Sequence, residues 1–131
     1  MIAKERVLVV DIDGTLCKIK GPEDSYATLP CDQQMKARLV ELHEQGWRII
    51  LSSARGMRTY DGNQGEILRH VLPVLTAWLD EHGVPYDEIW MGKPWPGRDG
   101  FYVDDRTVRP REFLNNSLEE LAAICERDRL L

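Results

Sequence analysis

Long apolar runs are missing from this chain. None approaches the roughly 20 residues that a membrane-crossing helix needs, so no membrane association is expected. Cysteine is scarce: Cys17, Cys31 and Cys125 stand at irregular spacing with no Cys-x-x-Cys pair. That pattern argues against a disulfide framework or a zinc site and for reduced, structurally ordinary thiols. An excess of basic charge is missing too. Lys and Arg number 17 against 22 Asp and Glu, a formal net charge of −5, which speaks against nucleic acid as the main partner. There are no internal repeats, low-complexity stretches or linkers. Met1 to Arg6 has no signal-peptide pattern, so a cytoplasmic location is expected. The 131 residues give room for one domain, 1–131, with a real core.

What is present alternates between strand-like and helix-like stretches, which predicts an α/β fold with a central parallel sheet. Arg6 to Val10 reads as a buried strand. Residues 16–30 carry Gly21-Pro22 and Pro30 and read as a loop or a small hairpin flap. Asp32 to Gln45 is a helix with Met35, Leu39 and Leu42 on one face and Gly46 as its stop. Trp47 to Leu51 is a second strand, and residues 56–65 form a glycine-rich polar loop. Glu66 to His82 is helical, with Pro73 placed to kink or split it. Tyr86 to Trp90 and Gly100 to Val103 are third and fourth strands. Ser117 with Glu120 forms a capping box that opens a last helix ending near Arg127. Trp47 and Trp78 are assigned to the core. Trp90 and Trp95 either pack in the core, the commoner role, or line a substrate mouth. His43, His70 and His82 are widely spaced surface residues.

The chemistry clusters just past the predicted strands. Val7-Leu8-Val9-Val10 stops at Asp11-Ile12-Asp13-Gly14-Thr15-Leu16. In extended chain Asp11 and Asp13 share a face and Ile12 points away. Two carboxylates in one small space repel unless a cation or a shared proton relieves them. Ser52, Ser53 and Arg55 follow strand two, Gly92-Lys93-Pro94 strand three, and Asp104 and Asp105 strand four. In a parallel sheet these ends lie along one edge, where open α/β sheets bind ligands. A hydroxyl, an ammonium and two carboxylate pairs describe a site for a dianionic phosphate with a divalent metal. The hydroxyl and ammonium donate to phosphate oxygens, and the carboxylates suit magnesium.

This constellation resembles the haloacid dehalogenase (HAD) superfamily of phosphohydrolases over roughly residues 6–110. The resemblance implies a three-layer, Rossmann-like fold and an Mg2+-dependent phosphomonoesterase. Asp11 would be the nucleophile that forms an aspartyl-phosphate. Asp13 would protonate the leaving oxygen and then activate water. Ser53 would supply the second motif's hydroxyl, and Lys93 would bind phosphate and hold Asp11 in place. The metal would rest on Asp11, the backbone carbonyl of Asp13, and the acidic pair. Of that pair Asp105 is assigned as the direct ligand, with Asp104 a ligand or a neighbour behind it. An acid at position 13 resembles the phosphatases of the superfamily; its P-type ATPases carry threonine there.

A narrower likeness lies in Ser53-Ala54-Arg55-Gly56-Met57-Arg58-Thr59-Tyr60, Met91-Gly92-Lys93-Pro94-Trp95-Pro96-Gly97 and Phe101-Tyr102-Val103-Asp104-Asp105-Arg106. It is similar to small HAD proteins of capsule or surface polysaccharide biosynthesis, which implies a sugar- or polyol-phosphate substrate. Residues 16–30 and 56–92 are too short for a folded cap domain, so the chain resembles the capless subgroup. Its open site would suit a bulky substrate, or be covered by a second copy or a partner protein. Arg55, Arg58 and Tyr60 stand beside Ser53. They either recognise a second anionic or sugar group of the substrate or are surface residues paired with local acids. Two other functions share the fold type. A polynucleotide-end phosphatase is disfavoured by the negative charge. A phosphate-binding signalling module of the receiver type would need a phosphoacceptor aspartate ending a middle strand, where this chain has serines.

Overall fold

The apolar, valine-rich run Val7–Val10 forms β1, and Arg48–Ser53 forms β2 in parallel register with it, Val9 opposite Ile50 and Val10 opposite Leu51. Glu88–Met91 forms β3, parallel to β2, with Leu51 opposite Ile89 and Ser53 opposite Met91. The sheet order is β1-β2-β3 in this computed structural model, which describes residues 5–130. The Met1–Arg6 stretch lies mostly outside those residues. The protein is α/β with a parallel sheet, as the alternation of elements predicts.

Side-chain alternation in β2 buries Ile49, Leu51 and Ser53, while Arg48, Ile50 and Ser52 are only half-buried. Helix α1, Gln33–Glu44, supplies Met35, Leu39 and Leu42 to the core. Asp32 caps it by accepting from the Met35 amide at 2.8 Å. The predicted helix over Glu66–His82 is two helices: α2, Gln64–His70, and α3, Leu72–His82. Pro73 is the reason. It has no N–H to continue the ladder, and it sits instead in the first turn of α3, where the missing donor costs nothing. Leu75, Trp78 and Leu79 of α3 are buried, and Trp78 Nε1 donates to the Leu29 carbonyl at 2.6 Å. That bond pins the 16–30 loop, which also buries Leu16, Cys17 and Leu29.

The chain divides into two compact units, the first ending at Trp95 and the second beginning at Pro96. The first holds the sheet with α1 to α3. The second holds α4, Pro110–Asn115, and α5, Leu118–Asp128. Ser117 and Glu120 form the predicted capping box of α5, with bonds of 3.2 and 3.1 Å. Helix α4 is not foreseen in the sequence. The predicted strand Gly100–Val103 does not form: these residues are irregular and exposed. A strand is made by its neighbour, and Phe101-Tyr102-Val103 has the composition of one without lying in the sheet. Trp90 and Trp95, too, are exposed rather than core.

Candidate active site at the carboxyl end of the sheet

Asp11 follows β1 directly, and the chain then turns sharply. Gly14 has φ +90°, a conformation that glycine adopts without strain, and its amide donates to the Cys17 carbonyl at 2.7 Å. Ile12 is fully buried while Asp11 and Asp13 remain part-exposed, so the two acids project from the sheet edge as alternation predicts. Ser53 ends β2, and its carbonyl accepts from the Lys93 amide at 3.1 Å. Gly92, at φ +88°, turns the chain after β3 so that Lys93 reaches back toward β1. Lys93 Nζ lies 3.4 Å from Asp11 Oδ1, and Thr15 Oγ1 donates to Asp11 Oδ2 at 3.3 Å. Three strand ends therefore converge: Asp11, Asp13, Ser53 and Lys93 form one cluster.

Arg55 is part of that cluster. Its guanidinium forks onto Asp13, with Nη2 2.9 Å from Oδ1 and Nε 3.2 Å from Oδ2. The residue is buried, its amide donates to Ser53 Oγ at 3.0 Å, and its Cζ lies 4.0 Å above the Tyr26 ring centroid. Its Nη1 is buried with no hydrogen bond among the described residues. Arg55 also lines a pocket of about 190 Å³ with Tyr26, Gly56, Thr59, Tyr60, His70, Val71 and Val74. Tyr60 stacks on His70 at 5.5 Å, and Arg58 lies 5.6 Å from the ring centroid of Trp95.

Sequence reasoning missed Thr15 and Tyr26. Thr15 had a readable signal, a hydroxyl in the turn after two acids. Tyr26 had none, since its role depends on how the loop folds back. Cys17 lies 3.7 Å from Asp13 Oδ1. Burial, and then the charge of Asp13, push its thiol up to about 12, so it stays protonated and inert near neutral pH. Burial and the same charge raise Tyr26.

Asp104 and Asp105 lie in the second unit. There Asp104 Oδ1 accepts from the Arg106 amide at 2.9 Å, and Asp105 Oδ2 from Arg129 Nε at 2.7 Å. The Arg129 hydrogen bond holds the Asp105 carboxyl below its ordinary value. Among the described residues no group of three or more His, Cys, Asp or Glu side chains is arranged to hold a metal ion. Among the described residues no helix is long and apolar enough to cross a membrane.

No family model matches the chain, and no curated protein matches it either. Among solved structures, a crystal structure of a target protein from Vibrio cholerae is 48% identical. The match covers 95% of this chain and 99% of that one, with a TM-score of 0.89. The chain belongs to the same family as this Vibrio cholerae protein. A D,D-heptose 1,7-bisphosphate phosphatase from B. bronchiseptica, crystallised with magnesium and phosphate, is 15% identical with a TM-score of 0.48; that match covers 72% of this chain and 53% of that one.

Proposed function

We propose that this protein is a phosphomonoesterase of the HAD type, working through an aspartyl-phosphate on Asp11. The observation that carries the reading is the approach of Lys93 Nζ to Asp11 Oδ1, 3.4 Å, across two strand ends. An ammonium beside a half-exposed carboxylate offsets the repulsion that a phosphate dianion would otherwise meet there. Asp11 Oδ attacks phosphorus and the P–O bond to the leaving group breaks. Asp13 gives the leaving oxygen its proton, then takes one from the water that cleaves the aspartyl-phosphate. Arg55 fixes the plane of the Asp13 carboxyl, and one arm of its fork gives way to free an oxygen for each transfer. The Ser53 hydroxyl and the Lys93 ammonium bind phosphoryl oxygens.

The donor set at the edge is all oxygen, which fits Mg2+. Asp11 and the Asp13 carbonyl would hold it there. Bound there, Mg2+ supplies positive charge against the phosphoryl oxygens. The pocket beside Arg55 suits the rest of the substrate. With Arg55 and Tyr60 lining it and Arg58 in the same loop, we assign a sugar- or polyol-phosphate of surface polysaccharide biosynthesis, handled in the cytoplasm. Asp11→Asn should abolish phosphate release from an aryl phosphate, and a chelator should do the same to the wild type. Activity retained by either would remove the proposal.

A further inference from the structure

Arg55 has a second edge that the proposed reaction leaves unused. Nε and Nη2 face Asp13, and in a planar guanidinium the third nitrogen points away from that fork. That nitrogen, Nη1, is buried and makes no hydrogen bond among the described residues. The Arg55 side chain is only 3% exposed. A charged donor left unpaired in the interior carries a standing cost, which an acceptor would remove.

The pocket of about 190 Å³ is lined by Arg55 and not by Asp13, which sets it on the Nη1 side. Its lining residues all belong to the first unit. None of them is an acid. The Thr59 hydroxyl, the Tyr26 and Tyr60 phenols and the His70 ring are its other polar groups, and each can donate a hydrogen bond. Glu66 reaches this wall through His70 Nε2, 2.9 Å away, and does not line the space. A concave, partly apolar site with a few convergent donors suits a ligand that brings acceptors. Tyr26 stands over the guanidinium at 4.0 Å and is only half-buried, so a small turn of its ring admits a ligand to Nη1.

We infer that this pocket takes a carboxylate, carried by the substrate at the end remote from its phosphate. The inference rests on the phosphatase reading and narrows the substrate to the phosphate ester of a sugar acid. A neutral hydroxyl would satisfy the donor but gain little from its charge. A second phosphate dianion would bring two charges to a guanidinium already shared with Asp13, more than the pocket can neutralise. A carboxylate is planar and singly charged, and it can accept from Nη1 and from the neighbouring hydroxyls together. The spacing agrees. From the leaving oxygen through Asp13 and across one guanidinium is about 10 Å at most by bond and hydrogen-bond lengths, the reach of a chain of about six carbons. An aryl phosphate without a carboxylate therefore reads only the Asp13 edge of Arg55.

Gluconate and glucitol differ only in a carboxylate against a hydroxymethyl group, and so do their 6-phosphates. Nuclear magnetic resonance on the labelled full chain should show gluconate shifting the Thr59 and Tyr60 amides saturably, with glucitol at least tenfold weaker. The gluconate ester should exceed the glucitol ester by tenfold or more in kcat/KM. Arg55→Lys has no Nη1 and should cut that ratio severalfold, whereas a merely structural loss lowers both rates and leaves the ratio alone. Equal shifts by the two polyols, no shift at these amides, or equal kcat/KM in the wild type overturns the inference, and so does a hexitol bisphosphate preferred to the gluconate ester. An unchanged ratio in Arg55→Lys overturns it too, and the wild-type measurements decide it even if that variant fails to fold. Saturable gluconate binding with neither ester hydrolysed removes the phosphatase reading and keeps the carboxylate site. Both esters hydrolysed equally without gluconate binding removes the site and keeps the phosphatase reading.

Discussion

Asp13 does not enter the proposed reaction unaided, because Arg55 already occupies both of its oxygens. A group that must give and take a proton at one point in space gains from having its plane fixed in advance. A buried guanidinium stacked on Tyr26 does that at little further entropic cost. Asp13→Ala should then lose on the order of 10²–10⁴ in rate. Arg55→Lys keeps the charge and loses the fork. If Arg55 positions Asp13, kcat falls by about tenfold or more while KM barely moves. A rise in KM at unchanged kcat would show instead that Arg55 acts by binding the substrate through the neighbouring pocket. Steady-state kinetics on one aryl phosphate separate the two.

The strands that carry the site are held in register by side chains as well as by the ladder. Asp87, just before β3, accepts from the Ile49 amide of β2 at 2.8 Å and lies 3.3 Å from His43 Nε2 of α1. Burial pushes the Asp87 carboxyl up, but the Ile49 and His43 contacts outweigh it and hold it below its ordinary value of 3.8. A depressed carboxyl stabilises the fold above its unfolded value and loses that contribution as the pH falls through its folded one. Asp87→Asn keeps an acceptor for Ile49 and removes the charge. Its urea midpoint should lie below that of the wild type at neutral pH and converge with it as the pH drops below 3.8. A gap that stays constant through that range would count against the argument. Asp87→Ala also strands the Ile49 amide and should cost about 1–3 kcal/mol at neutral pH.

These elements were unequally legible in the sequence. β1 and the stop at Asp11 could be read because an unbroken apolar run rich in valine suits a strand and the acids then end it, although Val9 proves exposed and only Val10 is buried. Pro73 announced the break between α2 and α3, though not that it would become the first turn of the second helix. Helix α4 has six residues and too little periodicity to see; Pro110 at its start and Glu112 in its first turn were the available signals. Phe101–Val103 shows the limit from the other side, since its composition was read correctly and its neighbour could not be. In the site, alternation along one strand exposed Asp11 and Asp13. The Arg55–Asp13 fork joins residues from different strand ends, and only the folded chain reveals it.

Charge belongs to the whole molecule, and it bears on which phosphate ester is accepted. With a formal net charge of −5, the protein repels a polyanion at distances where a small sugar phosphate is hardly affected. The reach of that repulsion is set by salt, about 30 Å at 0.01 M and about 10 Å at 0.1 M. A 3′-phosphorylated oligonucleotide should therefore be hydrolysed more slowly than a sugar phosphate at low salt. Its disadvantage should shrink as salt is added, because screening removes the repulsion and leaves the chemistry unchanged. An enzyme built for polynucleotide ends has the opposite sign: phosphate contacts release counterions, and its rate on the oligonucleotide falls as salt rises. Measuring kcat/KM for both substrates across that salt range thus reads a sign as well as a magnitude. Comparable turnover at low salt, followed by a fall for the oligonucleotide alone, would reassign the protein to nucleic-acid ends.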